Sequence, residues 1–164
     1  MKPEEFTKKC FPRGDASWHF NYPKDRLLQL RGIIADDLMR APDMLDSDGE
    51  PCLLVVKRGN SSGTTLGCAN GIFSVVREYF LDTSINQTSM EWVIINYDSK
   101  SDVFSDCGDS GSIIADIHGR VGGMITGGTR KTKTSDMTYA TPFWWILQRI
   151  QASGFPNAHL GVVA

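Results

Sequence analysis

From Leu27 onward, apolar residues fall into short runs separated by turn-rich segments, the pattern of strands joined by tight connections. Residues 27–34, 52–57, 64–79, 91–97, 112–117, 121–126 and 137–140 read as strands. Their regular spacing predicts a mostly β chain, an antiparallel sandwich or barrel with consecutive, local pairings. Between the first two runs, Pro42 and Ser47-Asp48-Gly49 predict a helical turn followed by a loop. Arg58 to Gly63 predicts a strand-to-strand turn, and His118-Gly119 a two-residue hairpin. Near the end, Thr141 reads as an N-cap with Pro142 in the first helical position, so one helix is expected over residues 142–150, stopping before Gly154. Its adjacent Trp144 and Trp145 point about 100° apart, so one should pack on the sheet and the other reach toward the N-terminal arm.

The first 26 residues differ. Pro3, Pro12, Gly14 and Pro23 interrupt them, no period is sustained, and aromatics are scattered among them. This predicts an extended arm or linker (1–26), a single domain (27–155) and a short tail (156–164).

Composition narrows the function class mainly by exclusion. Apolar residues make up 41 % and charged residues 22 % of the 164 positions, a globular balance that excludes disorder and coiled coil. A net charge of −2 gives no broad attraction for nucleic acid or an acidic membrane surface, so neither is expected as a partner. No export signal and no run of about 18 apolar residues is present, which makes a cytoplasmic location the default expectation. The four cysteines lack a Cys-x-x-Cys spacing and are expected as free thiols. The acidic positions between Asp36 and Glu50 fit no EF-hand loop, so no metal and no cofactor is expected.

The chemistry concentrates in Asp106-Cys107-Gly108-Asp109-Ser110-Gly111-Ser112. A serine hydroxyl is a weak nucleophile until a base takes its proton, and the oxyanion formed on attack needs preorganised donors. Glycines beside Ser110 allow the backbone to turn N–H groups toward one point. Gly108 and Ser110 would supply those donors, Gly111 would let the chain leave the turn, and Asp109 would hold the loop's shape. Ser112 replaces the last glycine of a Gly-x-Ser-x-Gly elbow, and the surroundings are strands, so the α/β-hydrolase reading fails.

Gly108-Asp109-Ser110-Gly111-Ser112, followed by a hairpin ending in Thr126-Gly127-Gly128, resembles the nucleophile region of trypsin-like serine proteases. The stretch from Val56 to Gly67, containing Gly59, Gly63, Thr64 and Gly67, resembles the first hairpin of that family's second barrel. Tyr139-Ala140-Thr141-Pro142 and the final helix sit where the family closes this barrel. The resemblance covers roughly residues 27–155 and extends to trypsin-like domains of uncharacterised fungal proteins. It implies an antiparallel six-to-seven-strand Greek-key barrel with a C-terminal helix. It also implies Ser110 as nucleophile, an oxyanion hole at Gly108 and Ser110, and a substrate pocket lined by Phe104, Ser105, Asp106, Thr126, Gly127 and Gly128. A peptide or protein would be the substrate.

The family's base and its orienting aspartate come from a first barrel. The 26 residues before Leu27 are too few for six strands of about 5–6 residues plus turns. Of the three histidines, His19 lacks the family's context, His118 is expected at the far end of a strand from Ser110, and His159 reads as a surface residue. The expectation is therefore a half-domain that is nearly inactive alone and is completed by a partner barrel or a longer gene product. The competing expectation is a non-enzymatic binding module that uses the face the missing barrel would cover.

Overall fold

The computed structural model describes residues 3–11, 27–79, 86–129 and 136–161. In chain order these form α1 (Pro3–Cys10), β1 (Gly32–Ile33), α2 (Asp36–Arg40), β2 (Leu53–Gly59), β3 (Gly63–Ala69), β4 (Phe73–Tyr79), β5 (Asn86–Asn96), β6 (Ile113–Asp116), β7 (Arg120–Gly128), β8 (Met137–Pro142) and α3 (Phe143–Ala152).

Six strands close on themselves. β2 pairs with β3, β3 with β5, β5 with β8, β8 with β7, β7 with β6 and β6 with β2, every pair antiparallel. Around the ring the order is 2-3-5-8-7-6, so the connection from β5 to β6 passes over two strands in Greek-key fashion. This is the mostly β barrel with a C-terminal helix that the strand spacing predicts, and closure leaves few free edges. Two strands lie off the ring: β1 runs parallel to the start of β7, and β4 pairs with the first half of β5. Only Trp92 to Ile95 of β5 face β8, so its residues before Trp92 extend beyond the barrel as a two-stranded ribbon with β4.

The barrel is filled by alternate residues, as strand geometry requires. Leu53 and Val55 of β2, Trp92 and Ile94 of β5, Ile114 of β6, Ile125 of β7 and Ala140 of β8 join one apolar cluster. Each large side chain so buried contributes about 1.5–3 kcal/mol. The indole of Trp92 occupies the space left by Gly122: a Cβ there would come within 2.5 Å of Trp92 Cζ3 and 3.2 Å of Ile34 Cδ1.

Several sequence expectations are corrected. The arm is not wholly extended, because residues 3–10 form α1, with Glu4 and Glu5 in its first turn and Lys8 and Lys9 in its last, the charge order that suits a helix dipole. This helix is docked: Cys10 is buried, Phe6 and Phe11 pack against the core, and Tyr97 Oη donates to the Lys9 carbonyl at 2.9 Å. Burial pushes the Cys10 thiol up to about 12. The run 27–34 yields only a two-residue strand, and the run 64–79 divides into β3 and β4 at the bend of Asn70 and Gly71. Helix α3 begins one residue later than expected, since Pro142 is its cap and Thr141 belongs to β8. Cys52 and Cys68 are joined in a disulfide, 5.9 Å apart at Cα, while Cys10 and Cys107 are free thiols. Strand pairing brings those two cysteines together across 16 positions, which no short-range spacing rule detects.

Replacing Gly122 with alanine forces its new methyl group against a ring that is fully enclosed. Overpacking of this kind costs about 1–3 kcal/mol, and urea unfolding should show Gly122→Ala destabilised by that amount with an unchanged m-value.

Candidate active site at the Ser110 turn

Ser110 lies in the connection from Asp106 to Ser112 that leads into β6. The connection is pinned at both ends by backbone hydrogen bonds: Asp109 N donates to Asp106 O at 3.0 Å, and Ser112 N to Asp109 O at 3.0 Å. Gly111 N then donates to Ile125 O at 2.8 Å, and Ile125 N to Ser112 O at 3.0 Å, so the turn is fastened to β7. Gly108 and Gly111 have φ of 95° and 85°, the left-handed region where side chains are strained. A Cβ on Gly108 would also approach Ser61 Oγ to 2.5 Å.

The centre of the turn is the carboxylate of Asp109, which is fully buried. It accepts hydrogen bonds from Lys57 Nζ at 2.8 Å, Ser61 N at 2.8 Å, Ser62 N at 3.3 Å, Ser62 Oγ at 2.5 Å and its own loop's Asp106 N at 3.0 Å. Lys57 is equally buried, and its ammonium also bonds Ser62 Oγ and Gly63 O. Ser61 Oγ donates to the Cys107 carbonyl, a second tie between the β2–β3 turn and the serine loop. Gly59 makes the approach sterically open, because a Cβ there would fall 2.2 Å from Asp109 Oδ1. The two motifs singled out in the sequence, the Val56–Gly67 hairpin and the Gly108–Ser112 run, are thus one unit in space.

Burial alone would push the Asp109 carboxyl up. The Lys57 ammonium, the Ser62 hydroxyl and the amides of Asp106 and Ser61 outweigh that and hold it well below the usual carboxylate range.

With the loop so held, Ser110 is exposed. Among the described residues, neither its hydroxyl nor the N–H groups of Gly108 and Ser110 has a hydrogen-bond partner. Cys107 N, just before them, is satisfied by Asp106 Oδ1 at 2.7 Å, and Asp109 N, between them, by Asp106 O. His118 sits in the β6–β7 turn, at the other end of β6 from Ser110. There Asp116 Oδ1 accepts from His118 N and Arg120 N, and Arg120 makes a two-pronged pair with Asp43. The Arg120 guanidinium holds the Asp43 carboxyl below its ordinary range. His159 Nδ1 contacts Leu160 O in the tail, and His19 lies outside the described residues.

The six residues expected to line a pocket divide. Phe104 is buried in the core against the Cα side of Gly67, and its carbonyl accepts from Thr65 Oγ1 at 2.6 Å. Ser105 is buried and shares a 2.6 Å hydroxyl contact with Thr138, while Asp106 is exposed. Gly128 pairs with Thr138 in the β7–β8 ladder. Thr126 and Gly127, in contrast, line a cavity of about 630 Å³ together with Phe73, Glu91, Tyr139, Thr141, Trp144 and Trp145, among others. The Phe104–Asp106 segment is not part of that lining.

Two important residues escape the sequence reading. Lys57 was legible in principle, being the lone charge in phase with inward-facing Leu53 and Val55. Glu91 directly precedes the apolar run from Trp92 to Ile95 and carries no comparable signal.

No protein-family model matches the chain, and no curated protein matches it. Among solved structures, the crystal structure of Cellulomonas bogoriensis chymotrypsin is similar at 20 % identity with a TM-score of 0.48, over 75 % of this chain and 53 % of that one. The chain therefore spans about half the length of that protein.

Removing Lys57 strands a buried anion, which costs about 3–5 kcal/mol when a buried pair is broken. Lys57→Met should lose that much stability at neutral pH. Because the Asp109 carboxyl is depressed in the fold, its contribution is complete above the unfolded value of about 3.9 and is lost as pH falls below it. In Lys57→Met the unpaired carboxyl instead favours protonation. Thermal melts from pH 7 to 3 should therefore show the gap between wild type and variant narrowing on acidification; a pH-independent gap would contradict this role for the pair.

Proposed function

We propose that this chain is the nucleophile-bearing barrel of a trypsin-like serine hydrolase acting on peptide bonds. The observation that carries the reading is the Ser110 turn. There an exposed hydroxyl stands beside two N–H groups without partners, Gly108 and Ser110, on a loop held rigid by the buried Asp109. In an acyl transfer the Ser110 oxygen attacks the substrate carbonyl and its proton passes to a base. The carbonyl oxygen, now negative, is received by the two amides, and the amine leaves with the proton as the acyl-serine forms. One oxyanion-hole donor is worth about 2.7–4 kcal/mol.

Neither described histidine hydrogen-bonds Ser110, so the base in this reading is supplied from outside the described residues, by a partner barrel or a longer gene product. Without it the turn keeps its electrostatic half of the mechanism and lacks its proton acceptor, a loss of about 10²–10⁴ in rate.

A second reading, a binding module, is favoured by a particular surface. Val75, Tyr79 and Met90 of the β4–β5 ribbon and Trp145 of α3 are exposed large apolar side chains, and Met90 and Trp145 both border the cavity. Such a surface suits a partner protein.

Labelling with a fluorophosphonate probe separates the two readings. The isolated chain should label slowly, added imidazole should accelerate labelling as an external base, and Ser110→Ala should abolish both. Labelling that persists in Ser110→Ala, or an absence of imidazole-dependent reaction in folded protein, would favour the binding module.

A further inference from the structure

Glu91 belongs to the barrel's outward face. Its neighbours Trp92 and Ile94 alternate inward, so Glu91, Thr126 and Thr141 project from the opposite side of β5, β7 and β8. A carboxylate on an outward face is ordinarily solvated, yet Glu91 is only 5 % exposed. It forms no ion pair among the described residues. Its Oε2 accepts from Thr141 Oγ1 at 3.0 Å and Thr126 Oγ1 at 3.3 Å, and its Oε1 takes no donor from the described residues. A buried carboxylate without a cation is costly, and hydroxyl donors on one oxygen offset only part of that cost, the less so because the single Thr126 hydroxyl proton is shared with the Tyr139 carbonyl at 3.2 Å.

The indole of Trp144 also lines the cavity, with its Nε1 turned away from solvent and without an acceptor among the described residues. Around Glu91 and this indole stand Phe73, Tyr139 and Trp145, and the volume of about 630 Å³ is that of a small-ligand site. The β5 residues before Trp92 pair with β4 on one side and with no described strand on the other, which leaves the cavity open along that edge.

One native cation borders the cavity without serving Glu91. The guanidinium of Arg40 lies 4.6 Å from the Phe73 ring centre and pairs with Asp36 at 3.0 Å. On the far side, Arg149 stacks 5.5 Å from the Trp145 ring centre. Both show that these aromatic walls accept planar cations, and neither neutralises the carboxylate.

We propose that this cavity binds an arginine residue of a peptide. Its guanidinium would bond Glu91 Oε1 between aromatic walls. A planar guanidinium fits better than a compact ammonium because it stacks and donates at once. The inference does not rest on Ser110 chemistry, since it needs only the carboxylate and the walls.

The probe is Nα-acetyl-arginine methylamide, with the neutral, nearly isosteric Nα-acetyl-citrulline methylamide as control, titrated into the whole chain by calorimetry and tryptophan emission. The arginine compound should bind about ten- to a hundredfold more tightly than the citrulline compound, the range for hydrogen bonds to a charged group. Glu91→Gln should remove that difference, and Ser110→Ala should retain it, so a failed nucleophile assignment leaves this result intact. Equal binding of the two compounds to the wild type, or no saturable binding of the arginine compound at about millimolar concentration, would overturn the proposal without recourse to any variant.

Discussion

The arrangement around Ser110 depends on one buried ion pair, Lys57 with Asp109, both withdrawn from water. Two charges moved into the interior lose solvation worth several kcal/mol each, and their attraction recovers this only when geometry and further hydrogen bonds are favourable. Here the carboxylate takes five donors from Lys57, Ser61, Ser62 and Asp106, so it is satisfied from three directions. Such a pair adds little net stability over an apolar substitute. What it adds is register. Any slip of the serine loop relative to the β2–β3 turn would leave a charge in the interior without its partner.

That dependence explains how an exposed nucleophile rests on an interior foundation. β2 brings Lys57 in from one side of the ring, the hairpin turn brings the Ser61 and Ser62 amides, and β7 receives Gly111 through Ile125 O. Donors that are fixed before a reaction need no reorganisation during it, which is the physical basis of oxyanion stabilisation. The opposite end of β6 has its own charged clasp, Asp43 with Arg120 and Asp116, which holds the β6–β7 turn. The strand is thus anchored at both ends by different pairs.

The outer face behaves differently. There the buried charge of Glu91 has hydroxyl neighbours and, among the described residues, no cation, and α3 contributes Trp144 to the lining of the same cavity. The sequence reads Thr141 as a helix cap, yet its hydroxyl serves Glu91 at 3.0 Å, and α3 begins without a side-chain cap. Local capping preference yielded to a tertiary demand, since a carboxylate away from water gains more from a hydroxyl than a helix terminus near solvent does.

Much of the architecture was legible because it rests on local rules. Strand runs, the turns at Asn60–Ser62 and Ile117–Gly119, and the final helix follow from alternation and turn chemistry, and the glycines flanking Ser110 mark where the backbone must adopt φ near 90°. The docking of α1, the Cys52–Cys68 bond, the burial of Phe104 in the core and the isolation of Glu91 were not legible. The sequence by itself determined which residues alternate inward and which segment carries the serine, since both depend on neighbours a few positions apart. Only the tertiary structure decided which charge meets which, because Lys57 and Asp109 are 52 positions apart and Glu91 and Thr141 are 50. Pairing over such distances is set by closure of the barrel, and no local preference encodes it.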